Sequence, residues 1–146
     1  LRDDPAGTPP ISDLGFDPLL DLPDVGVFAA LLSRRRGAVK SVLLDQGFAA
    51  GVGNWIADEV LFQARIDPRR RASDLDGDEA EALRLAIGDV VRIAVQADAR
   101  KDRFPRGWLF HRRWGRLPDQ LTLDGQTIEH LSIGGRTTAW VPDVQR

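Results

Sequence analysis

Two short helical segments joined by a glycine-rich turn constrain the fold of this chain most. The first segment runs from about Ala38 to Gln46 and the second from about Asn54 to Arg65, with the turn Gly47–Gly53 between them. Glycines let a backbone approach a ligand closely, and the start of the following helix presents free N–H groups to an anion. Gly53 and Asn54 are therefore candidate anion-binding residues, with an ordinary asparagine helix cap as the alternative.

Two further helices and a β unit are predicted around this pair. One helix follows a capping residue at Asp24 and ends at the arginine triplet 34–36, and a long helix spans about residues 78–97. After residue 117 the signals change to those of strands, with tight turns at Asp124-Gly125 and Gly134-Gly135 and strand-like residues at 121–123, 127–131 and 137–141. The predicted fold class is mainly α, a helical bundle followed by a small C-terminal antiparallel β-hairpin.

Three regions are expected along the chain. Residues 1–23 are rich in Pro, Asp and Gly and are predicted to be a linker or entry segment. Residues 24–113 are predicted to form the helical domain, and residues 114–146 the hairpin unit. A length of 146 residues supports one domain with a small appended module.

Cysteine is absent, which excludes disulfides, thiolate catalysis and any zinc site with sulfur ligands. His111 and His130 are the only histidines, so neither a metal ion nor another cofactor is expected. No apolar run approaches the roughly 20 residues that a membrane span requires. The absence of cysteine fits an intracellular protein. The expected location is the cytoplasm and nucleoid or a nucleus, and a monomer is expected.

The formal net charge of −2 hides an uneven distribution. Residues 33–71 hold eight basic and four acidic residues, and residues 99–116 hold seven basic residues and one acidic residue. Binding of a polyanion depends on the local potential more than on the net charge. The possible nucleic-acid contacts in these two blocks are Arg34, Arg35, Arg103, Arg106 and Arg112. The alternative is a solvated face in which both signs are mixed.

Three other groups of residues have two interpretations each. Arg136 follows the Gly134-Gly135 turn, where it could reach a phosphate or simply lie on an exposed hairpin. Residues 103–114 alternate cations with aromatic side chains, of which the aromatic ones are predicted to pack in the core. Asp58 and Glu59 are adjacent on a helix and point in different directions, so spacing alone does not make them an acid/base pair. A buried hydrogen-bonding role for Asp58 is equally compatible with its position.

The two helical segments match a known family residue by residue. The runs Val39–Gln46 (VKSVLLDQ) and Ala50–Phe62 (AGVGNWIADEVLF) resemble the helix–two-turns–helix (H2TH) motif of the formamidopyrimidine-DNA glycosylase/endonuclease VIII family. The run Ile133–Thr138 (IGGRTT) is similar to the C-terminal finger hairpin of that family. Residues 104–116 and the cysteine-free end look most like the plant and fungal type, whose finger keeps its shape without zinc. The resemblance covers about residues 10–145.

The resemblance implies that Lys40 and Asn54, with Gly53 in the same turn, contact the phosphates around a damaged nucleotide, and that Arg136 grips the same backbone. The implied partner is double-stranded DNA that contains an oxidised base or an abasic site, because enzymes of this family flip the damaged base out of the duplex. The implied parent protein is a bifunctional DNA glycosylase/AP lyase of base excision repair.

The catalytic residues of the family are not found in this sequence. The family's nucleophile is a Pro at the mature N-terminus, followed by a catalytic Glu, whereas this chain starts with Leu1-Arg2 and its prolines are internal tertiary amides. No catalytic residue is assigned, and the chain alone is expected to bind DNA without catalysis, beside an N-terminal catalytic domain of the same protein. The segment 100–107 is shorter than the bacterial loop that caps 8-oxoguanine, which favours formamidopyrimidines and other oxidised bases.

Two other functions are compatible with the sequence. The first is a non-enzymatic H2TH nucleic-acid-binding module, because such units also occur in a ribosomal small-subunit protein and in a type II topoisomerase. The finger-like end with Arg136 argues against this alternative. The second is a degenerate helical interaction domain that does not bind DNA.

Overall fold

The computed structural model describes residues 14–98, 100–115 and 118–146, so that residues 1–13 of the predicted linker lie outside it. The described chain forms four α-helices followed by two strands. These elements are α1 (Val25–Ser33), α2 (Val39–Leu44), α3 (Asn54–Ala64), α4 (Gly77–Gln96), β1 (Glu129–Ile133) and β2 (Arg136–Trp140). Single 3-10 turns occur at Ala72–Asp74, Lys101–Arg103 and Leu109–Arg112. The prediction of a mainly α fold with a small C-terminal antiparallel hairpin is confirmed.

Side chains fix the starts of two helices. The Asp24 carboxylate accepts a hydrogen bond from the Val27 N–H at 2.9 Å, which caps α1 at the predicted residue. At the start of α4 the Asp76 carboxylate accepts from the Glu79 N–H at 2.8 Å, and the Glu79 carboxylate accepts from the Asp76 N–H at 2.9 Å. This reciprocal pair satisfies two N–H groups that a helix start otherwise leaves free.

The main hydrophobic core lies where α4 packs against both α1 and α3. Its fully buried side chains include Phe28 of α1, Leu43 of α2, Val60 of α3 and Leu83 and Ile87 of α4. Burial of one such side chain stabilises the fold by about 1.5–3 kcal/mol. The long helix therefore supports α3, which follows the turn singled out in the sequence, and α3 in turn contacts α2.

The described part of the entry segment packs against that turn. The Gly15 N–H donates to the Gln46 carbonyl oxygen at 2.7 Å, and the Phe16 ring lies edge to face against Phe28 and Phe48 at 6.0 and 5.6 Å between centroids. A Cβ on Gly15 would lie 2.1 Å from the Phe48 carbonyl carbon, so this close approach requires glycine. Residues 15 and 16 thus hold the turn between α2 and α3 in place through these contacts with Gln46 and Phe48.

The C-terminal hairpin is short and tightly turned. β1 and β2 pair antiparallel from Glu129 opposite Trp140 to Ile133 opposite Arg136. The two connecting residues, Gly134 and Gly135, have φ values of +57° and +79°, as a two-residue turn of the I′ type requires.

The predicted turn at Asp124-Gly125 forms without the predicted flanking strands. Gly125 has a φ of +84°, and the pairing across this turn is reduced to one bridge between Leu121 and Thr127. The regular strand β1 begins only at Glu129, two residues later than the predicted start at 127.

A second, smaller core attaches the hairpin to the helices. Leu109, Ile128, Ala139 and Val141 form it together with Phe62 of α3. The chain end adds a hydrogen bond from the Gln145 side-chain amide to the Ile66 carbonyl oxygen at 2.9 Å. Apolar contacts and hydrogen bonds therefore fix the hairpin beside α3. Within the described ranges, no helix has both the length and the apolarity needed to cross a membrane.

Candidate nucleic-acid interface

The N-terminus of α3 is open. The helix begins at Asn54 with Gly53 as its N-cap residue, and no side chain of the described residues caps it. The first N–H groups of a helix have no partner within the helix, and the helix dipole places partial positive charge there. Gly53 is exposed, and a Cβ on it would meet nothing within 4 Å. The backbone at this point is accessible to an anion.

Asn54 joins this helix end to the C-terminal hairpin. Its side-chain nitrogen donates to the carbonyl oxygen of Thr137 at 3.0 Å. The amide nitrogen carries two N–H groups, so this contact engages one of them. The side-chain oxygen of Asn54 is buried and accepts no hydrogen bond from the described residues. The contact with Thr137 places the start of α3 directly beside the hairpin turn.

The hairpin turn also lies against α2. A Cβ on Gly134 would be 3.2 Å from the hydroxyl oxygen of Ser41, which shows how closely the turn approaches that helix. Arg136 follows the turn, and its side chain is exposed. Burial is the main cause that lowers the pKa of the Lys40 ammonium, and the nearby positive charge of Arg136 acts in the same direction. The predicted residues Lys40, Gly53, Asn54 and Arg136 therefore come together at one place, although they are spread over almost 100 positions of the sequence.

Lys40 is buried beneath the point where the start of α3 meets the hairpin turn. The residue is fully buried, and its ammonium nitrogen lies 2.8 Å from Asp58 Oδ1, 2.9 Å from the Thr137 carbonyl oxygen and 2.8 Å from the Thr138 hydroxyl oxygen. An ammonium group has three donors, and three protein oxygens surround this one. Burial lowers the pKa of Lys40, and the neighbouring Asp58 carboxylate partly offsets that effect.

Asp58 is the anion of this buried cluster. Its side chain is inaccessible to solvent, and Oδ2 accepts from the Arg113 guanidinium at 2.5 Å and from the Ala139 N–H at 3.1 Å. One carboxylate thus faces two cations, Lys40 and Arg113, and the exposed Arg136 lies nearby. The surplus of positive charge favours the approach of an anion from the hairpin side.

Glu59, the neighbour of Asp58, faces a different part of the molecule. Its carboxylate accepts from the N–H groups of Leu109 and Phe110 at 3.1 and 2.7 Å. Burial raises the pKa of Glu59, although these hydrogen bonds favour the charged form. The two carboxylates therefore contact different parts of the chain, as expected for adjacent helical residues that point in different directions. Asp58 binds the hairpin, and Glu59 binds the segment after α4.

Of the aromatic residues of that segment, the structure buries Trp108 and Phe110, as predicted, but leaves Trp114 49% exposed. The prediction of a buried Trp114 is wrong because its neighbour Arg113 takes the inward position and reaches Asp58. The guanidinium of Arg113 instead lies over the Trp114 ring, 4.7 Å from its centroid.

The five other predicted arginines lie away from these contacts. Arg35 pairs with Asp45 at 2.6 Å, and together with the exposed Arg34 it lines a cavity of about 630 Å³. Arg103, Arg106 and Arg112 are exposed, and no contact that the structure describes links them to the start of α3. Across residues 14–98, 100–115 and 118–146, no three His, Asp or Glu side chains are grouped closely enough to hold a metal ion.

Sequence reasoning missed Asp58 and Arg113 as parts of the site. A signal for Asp58 exists, because it lies four residues after Asn54 and so shares its face of α3. Arg113 lies among several other arginines, and nothing in its spacing distinguishes it from the exposed Arg112.

Comparison with known proteins gives consistent matches. A sequence profile described as the formamidopyrimidine-DNA glycosylase H2TH domain matches residues 14–105. The formamidopyrimidine-DNA glycosylase of Arabidopsis thaliana is 46% identical over 146 residues, which is all of this chain and 37% of that protein. The protein of the same name from Moorella thermoacetica is 40% identical over 129 residues, 88% of this chain and 43% of that protein. The chain thus spans less than half the length of these two relatives.

Solved structures show the same fold. A complex between the Lactococcus lactis Fpg and DNA that contains an abasic site superposes with a TM-score of 0.78 at 23% identity, over 93% of this chain and 53% of that one. A complex of MutM with DNA that contains carbocyclic 8-oxo-G superposes with a TM-score of 0.77 at 25% identity, over 93% of this chain and 52% of that one.

Proposed function

Because the chain belongs to the family of the formamidopyrimidine-DNA glycosylase H2TH domain, we propose that it binds DNA that contains a damaged or abasic nucleotide. The observation that carries the proposal is the meeting of the open α3 N-terminus with the hairpin turn, joined by the hydrogen bond between Asn54 and the Thr137 carbonyl oxygen. Both elements present groups that bind phosphate: backbone N–H groups at Gly53 and Asn54, and the guanidinium of Arg136.

Each group has a separate role in this proposal. The N–H groups at the start of α3 and the Asn54 side chain bind one phosphate of the damaged strand without adding a full charge. Arg136 supplies the full positive charge at the same place and suits two phosphate oxygens at once, because a guanidinium is a planar fork.

Lys40 has an indirect role in this proposal. Three protein oxygens hold its ammonium in place, and the charge of the ammonium adds to the positive electrostatic potential near Arg136. A direct contact of Lys40 with phosphate, which the family resemblance implies, stays a prediction. Arg34, Arg35, Arg103, Arg106 and Arg112 are proposed as outer contacts with the flanking duplex.

The parent protein is proposed to be a bifunctional DNA glycosylase/AP lyase that acts on oxidised bases, of the type whose finger contains no zinc. Support comes from the name of the plant relative, which is 46% identical over the whole chain, and from the absence of cysteine in the sequence. The Lactococcus lactis protein is seen bound to DNA with an abasic site, which supports that lesion as the probe for this chain.

A salt titration of DNA binding tests the proposal. Fluorescence anisotropy with a duplex that carries an abasic-site analogue should give an affinity that falls steeply as salt rises. Arg136→Ala should weaken binding about tenfold or more and reduce the slope of log K against log salt by about 0.9, as expected for one lost phosphate contact. Asn54→Ala should weaken binding with little change in slope, because no cation is removed.

Arg92→Ala is the matched control, because it removes the same charge from an exposed arginine that pairs with Asp89 on α4. It should leave both affinity and slope unchanged. The proposal is wrong if the unaltered chain has no salt-dependent affinity, or if Asn54→Ala combined with Arg136→Ala binds as well as the control.

The excision chemistry is proposed to need residues other than these 146. The only two lysines are Lys40, whose amino group is buried in the cluster, and Lys101, which lies exposed. The Lys40 ammonium is closed off from solvent and surrounded by three protein oxygens, and Lys101 is exposed, so neither offers the accessible and desolvated amino group of a nucleophilic lysine. Borohydride treatment with abasic DNA should therefore trap no covalent complex, and a trapped complex would contradict this part of the proposal.

A further inference from the structure

We propose that Asp58 is the positioning residue of this interface: its carboxylate fixes the β1–β2 hairpin, and therefore Arg136, relative to the start of α3. The inference rests on the proposed DNA-binding function and adds to it the residue that sets the geometry of the phosphate grip.

Three elements meet at this one side chain. Asp58 projects from α3 and contacts Lys40 of α2, Arg113 of the segment that precedes the hairpin, and the backbone N–H of Ala139 in β2. All these contacts are buried, and hydrogen bonds to an ionised group are roughly twice as strong as those between neutral groups. The carboxylate therefore ties α2, α3 and the hairpin together without itself reaching the surface.

The position of Arg136 follows from this attachment. Ala139 lies three residues after Arg136 on the same strand, which at about 3.3 Å per residue is roughly 10 Å away. Between them, Lys40 holds the Thr137 carbonyl oxygen and the Thr138 hydroxyl, and Lys40 is itself paired with Asp58. These contacts thus fix Thr137, Thr138 and Ala139, the three residues that follow Arg136 on the strand.

The charge balance makes the negative charge of Asp58 essential to this attachment. Asparagine has nearly the same shape, but in its place Lys40 and Arg113 would face each other without an anion. Their repulsion in a buried site would push the Arg113 segment and the hairpin away from α3. Arg136 would then no longer face the same phosphate as Asn54.

The salt slope distinguishes this role from a merely structural one. A variant that is only less stable lowers the folded fraction and so reduces the apparent affinity by a constant factor, which leaves the slope unchanged. Asp58→Asn should instead reduce the slope by about 0.9, as Arg136→Ala does, because the Arg136 contact is lost. In the Arg136→Ala background, Asp58→Asn should cause little further loss of affinity or slope.

Glu59→Gln is the matched control. It neutralises the adjacent buried carboxylate on the same helix, which accepts from the Leu109 and Phe110 N–H groups and has no hydrogen bond to β1, β2 or Arg113 among the described residues. It should retain the full slope even where it lowers the melting temperature. Binding is measured with the abasic-site duplex well below the melting temperature of each variant.

A second variant keeps the test decisive if Asp58→Asn does not fold. Arg113→Gln retains the Asp58–Lys40 pair and removes only one of the two cations, so it should give a smaller loss of affinity with a detectable loss of slope. Retention of the full slope by Asp58→Asn, or by Arg113→Gln where the first variant is unfolded, would overturn the proposal. That result differs from a failure of the proposed function, in which the unaltered chain itself would not bind.

Discussion

Replacing Asp58 with Asn should destabilise the protein more than replacing Lys40 with Met, although each change removes one member of the same buried cluster. The reason is the unequal charge count, with one carboxylate and two cations. Asp58→Asn leaves two buried cations without an anion. Lys40→Met leaves a balanced pair, because Asp58 keeps Arg113 at 2.5 Å and the Ala139 N–H at 3.1 Å.

The contacts give the size of each effect. Removing one partner from a buried ion pair costs about 3–5 kcal/mol when it leaves the other uncompensated, which is the case for Asp58→Asn. Lys40→Met loses the two charged hydrogen bonds to Thr137 and Thr138, which contribute about 1.5–3 kcal/mol each. It also removes the cost of burying the ammonium, which is several kcal/mol, so that its net cost is about 1–3 kcal/mol. The expected difference between the variants is therefore about 2 kcal/mol, or about 4–8 °C in melting temperature for a chain of this size.

The pH dependence gives an independent check of the cause. Lys40 is faced by Asp58, Arg113 and Arg136, and burial already lowers its pKa. Without Asp58 the pKa of Lys40 should fall further, because the attraction that opposes burial is gone. A lysine whose folded-state pKa lies below its unfolded-state pKa makes the protein more stable as pH rises between those two values. The stability of Asp58→Asn should therefore increase from pH 7 towards pH 10 more than that of the unaltered protein.

Urea unfolding followed by circular dichroism, at pH 7 and at several higher values, measures both quantities. The argument is refuted if Lys40→Met is as destabilising as Asp58→Asn at pH 7. It is also refuted if the stability of Asp58→Asn does not rise with pH relative to the unaltered protein.

Two further changes test other parts of the fold. Gly134→Ala should destabilise the protein by more than about 1–2 kcal/mol, because it adds a close contact with Ser41 to the cost of a left-handed alanine. Gly125→Ala is the control and should show the conformational cost alone. Equal melting temperatures of the two variants would count against the close packing of the hairpin turn. Burial raises the pKa of Glu59, so the stability of the unaltered protein should fall as pH rises through that pKa. Glu59→Gln should make this fall smaller. Identical urea-unfolding profiles of the two proteins between pH 4 and pH 8 would contradict the prediction.

Much of the fold could be predicted because its signals are local. Asp24 caps a helix because its carboxylate reaches the N–H of Val27, three residues on. The hairpin turn depends on two adjacent glycines that adopt positive φ. The start of α3 at Asn54 follows from the glycine that precedes it. Each of these features involves residues within a few positions of one another.

The site could be predicted only in part, because its decisive contacts are not local. Asp58 meets Arg113 across 55 positions and Ala139 across 81 positions, and neither separation leaves a pattern in the sequence. Lys40 lies on a short helix, and it is buried by its contacts with Asp58 of α3 and with Thr137 and Thr138 of the hairpin. Tertiary contacts, and not helical periodicity, decide which of these charges are buried.

The separation of these partners also has a consequence for the order of folding. The hydrogen bonds from Asn54 and Lys40 to the Thr137 carbonyl oxygen close loops of 83 and 97 residues, whereas the helices that carry the donors need only neighbours within a turn. Closing a long loop has an entropic cost that must be met before the contact forms, so such pairings come late. The helical domain should therefore collapse first and the hairpin dock last. The proposed DNA binding would then return in a slow final phase of refolding, after most of the helical circular dichroism signal has returned.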